Sequence, residues 1–295
     1  MEYKPLVSVI ITTCNGSDTV ERAIKSVLNQ DYSNIEIIVV DDNGIDSDEH
    51  KKTKKIVESF ENIKYISHKV RKNGSAARNS GAHEAKGELL SFLDDDDEFL
   101  NNKISLQVKK FGEATQNTGL VYCSFIDEDQ NGNKKTFKAD KKGRIVLYSL
   151  LDKVKVATSL FIVRKQVFDE LNGFDESFRR HQDWEFVARL TDKYEVDFVP
   201  EVCVIKHSIA RNEPINIKVM EEYRLHYLKK LKPIIDSKKE KKKIYCYHYI
   251  CFVKEYIKKG RIDKFLEYLI KSRAPLTYLK IFFEVLLKSK VKRSN

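Results

Sequence analysis

Asp94-Asp95-Asp96-Asp97 follows directly on the apolar run Leu89-Leu90-Ser91-Phe92-Leu93. Adjacent carboxylates repel one another, so such a run is costly unless it is solvated or shares a cation. Hard oxygen donors suit Mg2+ or Mn2+, ions that grip a diphosphate while keeping some of their waters. A second acidic pair, Asp41-Asp42, ends the apolar run Ile35-Glu36-Ile37-Ile38-Val39-Val40, and Thr12, Thr13 and Asn15 stand at the end of a third run. Polar residues gathered at the ends of three apolar runs form the pattern of a ligand site. That placement favours a metal over a solvated acidic turn.

Those side chains need a frame that brings the run ends together. The runs are short, β-branched and nearly continuous, as expected of buried parallel strands. Asn15-Gly16-Ser17-Asp18 reads as a turn in which Ser17 or Asp18 caps a helix with Val20, Ala23, Ile24, Val27 and Leu28 on one face. A polar helix over 47–60 leads to a strand at 63–66, and residues 74–81 open another helix. Further strands are expected at 120–125, near 160–163 and at 194–199, with a helix through Trp184 and Leu190 and a hairpin or mobile loop over 128–144. Strands alternating with helices predict an α/β fold with a doubly wound parallel sheet. Such sheets bind ligands at the carboxyl ends of their strands, where the polar residues collect.

Composition narrows the class. Aromatic residues make up 11% of the 295, too many for a disordered chain, and 41% hydrophobic with 33% charged fits a soluble protein able to bury a large core. The five cysteines show no C-x-x-C pairing and read as reduced thiols. No apolar run approaches bilayer length, and the amino terminus has no signal-peptide layout, so a cytosolic location is expected. The net charge of +10 is unevenly spread. Residues 211–295 hold 23 Lys/Arg against 9 Asp/Glu, a net of +14, while residues 1–210 hold 31 against 35, a net of −4.

The chemistry-bearing segments resemble those of glycosyltransferase family 2, whose members have the GT-A fold. The resemblance rests on Val7-Ser8-Val9-Ile10-Ile11-Thr12-Thr13-Cys14-Asn15, the Asp41-Asp42 pair, Asn73-Gly74 with Ala77-Arg78-Asn79, and Phe92-Leu93-Asp94-Asp95-Asp96-Asp97. Gly173-Phe174-Asp175-Glu176 and Gln182-Asp183-Trp184-Glu185-Phe186 with Arg189 follow in family order, so that the match covers about residues 5–210. It implies a Rossmann-like, mostly parallel sheet flanked by helices over 1–210, with a nucleotide-binding half (1–100) and an acceptor half (101–210). A basic helical extension over 211–295 follows.

Carried over position by position, the resemblance implies an inverting enzyme that takes a sugar from a nucleotide-sugar donor. Thr12 and Asn15 would lie at the nucleoside, Asp42 would accept a hydrogen bond from the base, and Gly74 and Arg78 would lie near the nucleotide. Asp94 would face the ribose or sugar, Asp96 would ligate Mn2+ or Mg2+ on the diphosphate, and Asp95 is the fallback ligand. Cys14 stands where many relatives place an aromatic. His207 is expected near the metal or phosphates, as a third ligand. Asp183 is the expected catalytic base, because a sugar hydroxyl is a weak nucleophile that a positioned carboxylate can activate. Its structural alternative is a helix N-cap. Glu176 and Trp184 are candidates for contact with the acceptor, against turn chemistry and pocket wall respectively. His68, His83, His181 and His226 are given no role.

In the basic extension, residues 216–231, 244–258, 262–272 and 276–290 read as amphipathic helices, with a charge-rich linker at 238–243. Basic residues beside aromatic and aliphatic stripes suit an anionic membrane surface, and with it a glycan acceptor carried on a lipid. The expected location is therefore cytoplasmic, peripheral at the inner face of the cell membrane, in surface polysaccharide biosynthesis. A nucleic-acid-binding module would explain the tail but not the carboxylate-lined strand ends, and no nucleic-acid motif is present. A nucleotide-sugar pyrophosphorylase would want a Gly-rich, Lys/Arg-containing loop after the first strand, which Thr12-Thr13-Cys14-Asn15-Gly16 is not.

Overall fold

A computed structural model describes residues 3–208 and 216–273 of the chain. Two units emerge, Met1–Glu213 and Pro214–Asn295. The first is built on a nine-stranded sheet: β1 (Val7–Thr13), β2 (Ile35–Asp41), β3 (Ile63–Ser67), β4 (Leu89–Asp94), β5 (Asp97–Phe99), β6 (Thr118–Glu128), β7 (Lys134–Phe137), β8 (Phe161–Arg164) and β9 (Glu195–His207). The helices are α1 (Val20–Leu28), α2 (Asp48–Val57), α3 (Gly74–Glu84), α4 (Lys103–Glu113), α5 (Val146–Leu150), α6 (Lys165–Glu170) and α7 (Gln182–Lys193). Sheet order is β3-β2-β1-β4-β8-β6-β9-β5, with β7 paired to β6.

β1 through β4 pair in parallel, as their alternation with helices demands, and the α/β class holds. The parallel run stops at β4. β8 joins β4 and β6 antiparallel, and β5 joins β9 antiparallel, while β6 and β9 are parallel. An antiparallel neighbour needs no crossover helix, so helical alternation in the sequence does not report it. The 128–144 stretch contains a hairpin, with β7 folding back on β6.

Both faces of β1 are buried, which is why its sequence runs apolar without alternation. Val7, Val9 and Ile11 pack with Val20 and Ile24 of α1 and Ile104 and Phe111 of α4. Ile10 faces the other way, into a layer with Ile38, Phe92, Phe161, Phe168, Phe174 and Phe186. The second layer matters to the site, because its Phe174 and Phe186 flank the turn and helix that carry Asp183.

Caps differ from expectation in one place. α2 and α3 start on side-chain caps, Ser47 accepting from His50 N and Asn73 accepting from Ala76 N. α1 starts at Thr19 with no side-chain cap, so neither Ser17 nor Asp18 caps it. Instead the Gly16 carbonyl accepts from the amides of Thr19 and Val20, and the backbone turn itself supplies the start.

The C-terminal unit contains α8 (Ile217–Lys230), α9 (Lys232–Ser237), α10 (Lys241–Lys258) and α11 (Ile262–Ser272). Phe252, Val253, Tyr256, Phe265 and Tyr268 make its small core, and the Glu221 carboxylate accepts from both Tyr256 and Tyr268 hydroxyls. The expected linker at 238–243 is shorter than predicted, because α10 takes in Lys241, Lys242 and Lys243. The helix expected at 276–290 lies outside the described residues. Among the described residues no helix is long and apolar enough to cross a membrane.

Candidate active site

A cavity of about 760 Å³ opens at the carboxyl ends of β1, β2 and β4. Thr12, Asn15, Asp42, Gly74, Arg78, Asp94, Asp95 and Asp96 all line it, together with Cys14. The structure therefore brings the expected nucleotide-side residues to one wall. It adds Arg71, Lys72, Arg179 and Arg180, which no motif marked.

The two aspartates that end β2 go different ways. Asp41 is fully buried; its carboxylate accepts from Tyr65 Oη at 2.6 Å and lies 2.9 Å from His50 Nδ1. It closes the sheet end and does not line the cavity. Asp42 does line it, with one oxygen held by Lys72 N at 2.8 Å and His68 Nδ1 at 2.7 Å. The other ring nitrogen of His68 meets Ser80 Oγ at 2.9 Å. His68, given no role from sequence, thus fixes the orientation of a cavity carboxylate.

Three aspartates of the run that begins at the end of β4, Asp94, Asp95 and Asp97, are committed to partners. Arg78 clamps Asp94 through Nη2 and ties itself to the Gly74 carbonyl through Nη1. Arg78 is nearly buried and its Nε has no hydrogen-bond partner. An orphaned donor of this kind costs about 1–3 kcal/mol and is common where a ligand completes a site. Asp95 accepts from Thr13 Oγ1 at 2.6 Å. Asp97, the last of the run, is buried against Lys206 Nζ at 2.5 Å and Ser159 Oγ at 2.6 Å. Burial pushes the Asp97 carboxyl up, Lys206 pulls it down, and Asp94 and Asp96 push it up again. Burial likewise raises Asp94, but the Arg78 and Lys206 charges win and hold it below the usual carboxylate range.

Asp94, Asp96 and Asp97 each offer an oxygen within 4.8 Å of the others. This hard-oxygen donor set fits a divalent Mg2+ or Mn2+ ion, with Asp97 the most committed elsewhere. His207 is not in that group. It sits next to Lys206 on β9, and strand alternation turns it to the opposite face, 3.4 Å from both Glu98 and Glu128.

Asp183 is the second residue of α7, not its cap, since His181 occupies that position in a left-handed conformation at φ 62°. Its Oδ1 accepts from Trp184 N at 2.9 Å. Surrounding protein pushes the carboxyl up to about 6, partly offset by that amide and by Arg78, and the Asp94 charge adds to the rise. Asp183 feels the charges of Arg78, Asp94 and Lys206, but it is not among the residues that line the cavity. Trp184 packs against His181 with ring centroids 4.3 Å apart and the rings tilted by 32°. Glu176 reaches Asn79 Nδ2 at 3.1 Å, and its carbonyl accepts from Asn73. Both Glu176 and Trp184 are thus tied into the loop before α7, and neither lines the cavity.

That loop is firmly held. Asn79 both donates to the Phe174 carbonyl and accepts from the Phe174 amide, each at 2.9 Å. Arg189 binds the carbonyls of Leu171 and Gly173 while its guanidinium pairs with Glu185. The motif residues 173–176 and Arg189 therefore position α7 relative to α3.

Gly16 is required by close approach. A Cβ there would fall 1.7 Å from Asp95 Oδ2 and 2.7 Å from Thr13 Oγ1.

Comparison with known proteins bears on this geometry. Residues 8–171 match the family model described as glycosyl transferase family 2. An uncharacterised glycosyltransferase of Rickettsia typhi is 33% identical over 243 residues, covering 78% of this chain and 73% of that protein. The GalNAc(5)-diNAcBac-PP-undecaprenol beta-1,3-glucosyltransferase of Campylobacter jejuni is 34% identical over 182 residues; these span 59% of this chain and just over half, 56%, of that protein. Among solved structures, the mannosyltransferase PcManGT from Pyrobaculum calidifontis, in complex with GDP-Man and Mn2+, aligns with a TM-score of 0.64 at 17% identity. That alignment covers 99% of this chain and 83% of the mannosyltransferase, and it bears on the fold alone.

Proposed function

Because the chain belongs to glycosyltransferase family 2, we propose that its cavity binds a nucleotide-sugar donor and that Asp183 directs an inverting transfer to a hydroxyl of a lipid-linked glycan. The observation that carries this reading is the cavity at three strand ends, where Asp42, Arg78 and the β4 aspartates converge. The Campylobacter relative is named for an undecaprenol-diphosphate acceptor, which supports a lipid-linked acceptor here. A cavity lined by four aspartates in a family 2 chain favours neither a nucleic-acid-binding module nor a pyrophosphorylase.

The residues take complementary parts. Asp42, oriented by His68, accepts from the base, while Thr12, Asn15 and Gly74 border the nucleoside. Arg78 holds Asp94 toward the ribose or sugar, with Asp95 alongside. Asp96, with Asp94 or Asp97, would hold Mn2+ or Mg2+, whose charge stabilises the departing diphosphate. Asp183 takes the proton of the acceptor hydroxyl as its oxygen bonds to the anomeric carbon. The bond from that carbon to the diphosphate breaks on the opposite side, releasing the nucleoside diphosphate with inversion. Glu176 and Trp184, on the same loop and helix as Asp183, border the acceptor. His207 is assigned no ligand role, because Glu98 and Glu128 hold it on the other face of β9.

Membrane contact belongs to the same proposal. Ile262, Leu266 and Ile270 form an exposed apolar stripe along α11, in a unit rich in lysine. That pattern suits the inner surface of an anionic membrane, where a polysaccharide precursor on a lipid would be extended.

The test is a panel of UDP- and GDP-sugars offered to the full chain with Mn2+ and a lipid-linked glycan. Transfer from one donor, with the anomeric configuration of the product read by NMR, is the expected result. Nucleotide binding without sugar transfer to any hydroxyl acceptor, or retention at the anomeric carbon, would sink it.

A further inference from the structure

The cavity has two chemically opposite walls. One is acidic and comes from the end of β4; the other carries Arg71 and Lys72 from the loop before α3, and Arg179 and Arg180 from the loop before α7. Those two loops are clamped to each other, Asn73 Nδ2 donating to the Glu176 carbonyl at 3.0 Å and Ser75 Oγ donating to the Phe178 carbonyl at 2.7 Å. The clamp forces two pairs of cations, more than a hundred residues apart in sequence, onto one rim. None of the four side chains has an ion-pair or hydrogen-bond partner among the described residues, whereas Arg78 and Lys206 on the acidic side are both paired. Convergent unpaired cations repel one another, and the positive end of α3 adds to the same field. A phosphate-bearing group relieves both.

We propose that this basic rim binds a second phosphate group, the diphosphate of the acceptor, alongside the nucleotide held at the acidic wall. The inference rests on the functional reading above and assigns the acceptor to the diphosphate-linked class. Segregation carries it. A donor diphosphate neutralised by a divalent ion would belong on the aspartate wall, which leaves the basic rim for an anion that needs direct guanidinium contacts. Arg179 and Arg180 precede Asp183 by only a few residues, so an acceptor anchored there presents its sugar near the base.

The experiment uses the full chain saturated with Mn2+ and whichever of UDP or GDP binds, titrated calorimetrically with farnesyl diphosphate. Farnesol and inorganic pyrophosphate serve as parallel arms. Farnesyl diphosphate is expected to bind without displacing the nucleotide, about tenfold more weakly in Arg179→Ala/Arg180→Ala, while nucleotide affinity stays within about twofold. Arg179→Lys/Arg180→Lys should recover part of the loss, which separates charge from loop collapse. Pyrophosphate binding as tightly as farnesyl diphosphate would reassign the rim to free phosphate, and farnesol binding equally well would reassign it to the lipid chain; either overturns the proposal. Direct competition between farnesyl diphosphate and nucleotide, or equal loss of nucleotide binding in the alanine variant, shows a single anion site and overturns it too. Failure of UDP and GDP alike to bind would instead bring down the donor reading on which it rests.

Discussion

Ion pairs in the strand-end cavity and ion pairs in the C-terminal helices are built on opposite plans. In the helices, partners sit one turn apart on one exposed surface: Lys232 with Asp236, Glu255 with Lys258, Glu267 with Lys271. At the cavity, Arg78 with Asp94 and Lys206 with Asp97 join distant segments in protected surroundings, and a hydrogen bond from His68 to Asp42 does the same. Exposed local pairs contribute little to stability and chiefly keep a helix soluble. Buried pairs between distant segments cost desolvation, and the fold tolerates them where charge is needed at a fixed point. The difference teaches where to look for chemistry in this chain. Glu221 is the C-terminal exception, a carboxylate gripped by two tyrosines that pins α8 to α10 and α11.

The comparison can be broken by substitution. The largest effect should come at Asp183: Asp183→Asn is expected to lower kcat by about 10²–10⁴-fold, with nucleotide affinity retained in a fluorescence titration. If Asp183 is the base proposed above, it should also set the acid limb of the rate profile. A base must be deprotonated, so kcat/KM should fall as pH drops through about 6 and level off above it. Asp183→Asn should abolish that limb.

Next comes His68. His68→Ala strips a donor from the buried Asp42 oxygen and should weaken nucleotide binding by about 1–3 kcal/mol. His68→Asn should recover part of it, and kcat at saturating donor should change little. Binding unchanged in His68→Ala would show that Asp42 needs no such orientation.

Lys103 tests what burial costs when no carboxylate answers it. Its side chain is fully buried, with Nζ 3.0 Å from Ser91 Oγ and 4.0 Å from the Phe99 ring centroid, and burial lowers its pKa to about 8. The folded value lies below the unfolded one. Protonation therefore destabilises the fold below pH 8, and that penalty fades as pH rises from 8 toward 10.5. Lys103→Met should stabilise the protein at pH 7 by about 2–3 kcal/mol in urea denaturation, with the gain shrinking at pH 10. The smallest effect belongs to the helices: Lys258→Ala should leave the denaturation midpoint where it was.

Much of the frame was legible before any coordinates. Apolar runs long enough to be buried on both faces mark β1, β2 and β4, and the polar residues that end them must share one edge of a parallel sheet. Antiparallel β5 and β8 were not marked as such, because a short strand carries no sign of its direction. At the site, the β4 aspartates and Arg78 stand out by type and spacing. His68, Lys206, Arg71 and Arg179 do not, since their meaning lies in what folding brings near them. His207 shows the same limit: one step along a strand reverses the face, and its place beside Glu98 and Glu128 depends on register with β5 and β6, which spacing alone does not encode.

Gly16 sets a different kind of limit on this site. Its hydrogen fills the last space beside Asp95, so the cavity floor at that point has no spare volume for even one methyl group. A Gly16→Ala variant would act as a wedge, pushing the cavity-lining Asp95 off Thr13. Room for a different ligand must therefore be sought at the rim, because the space beside Asp95 is already filled.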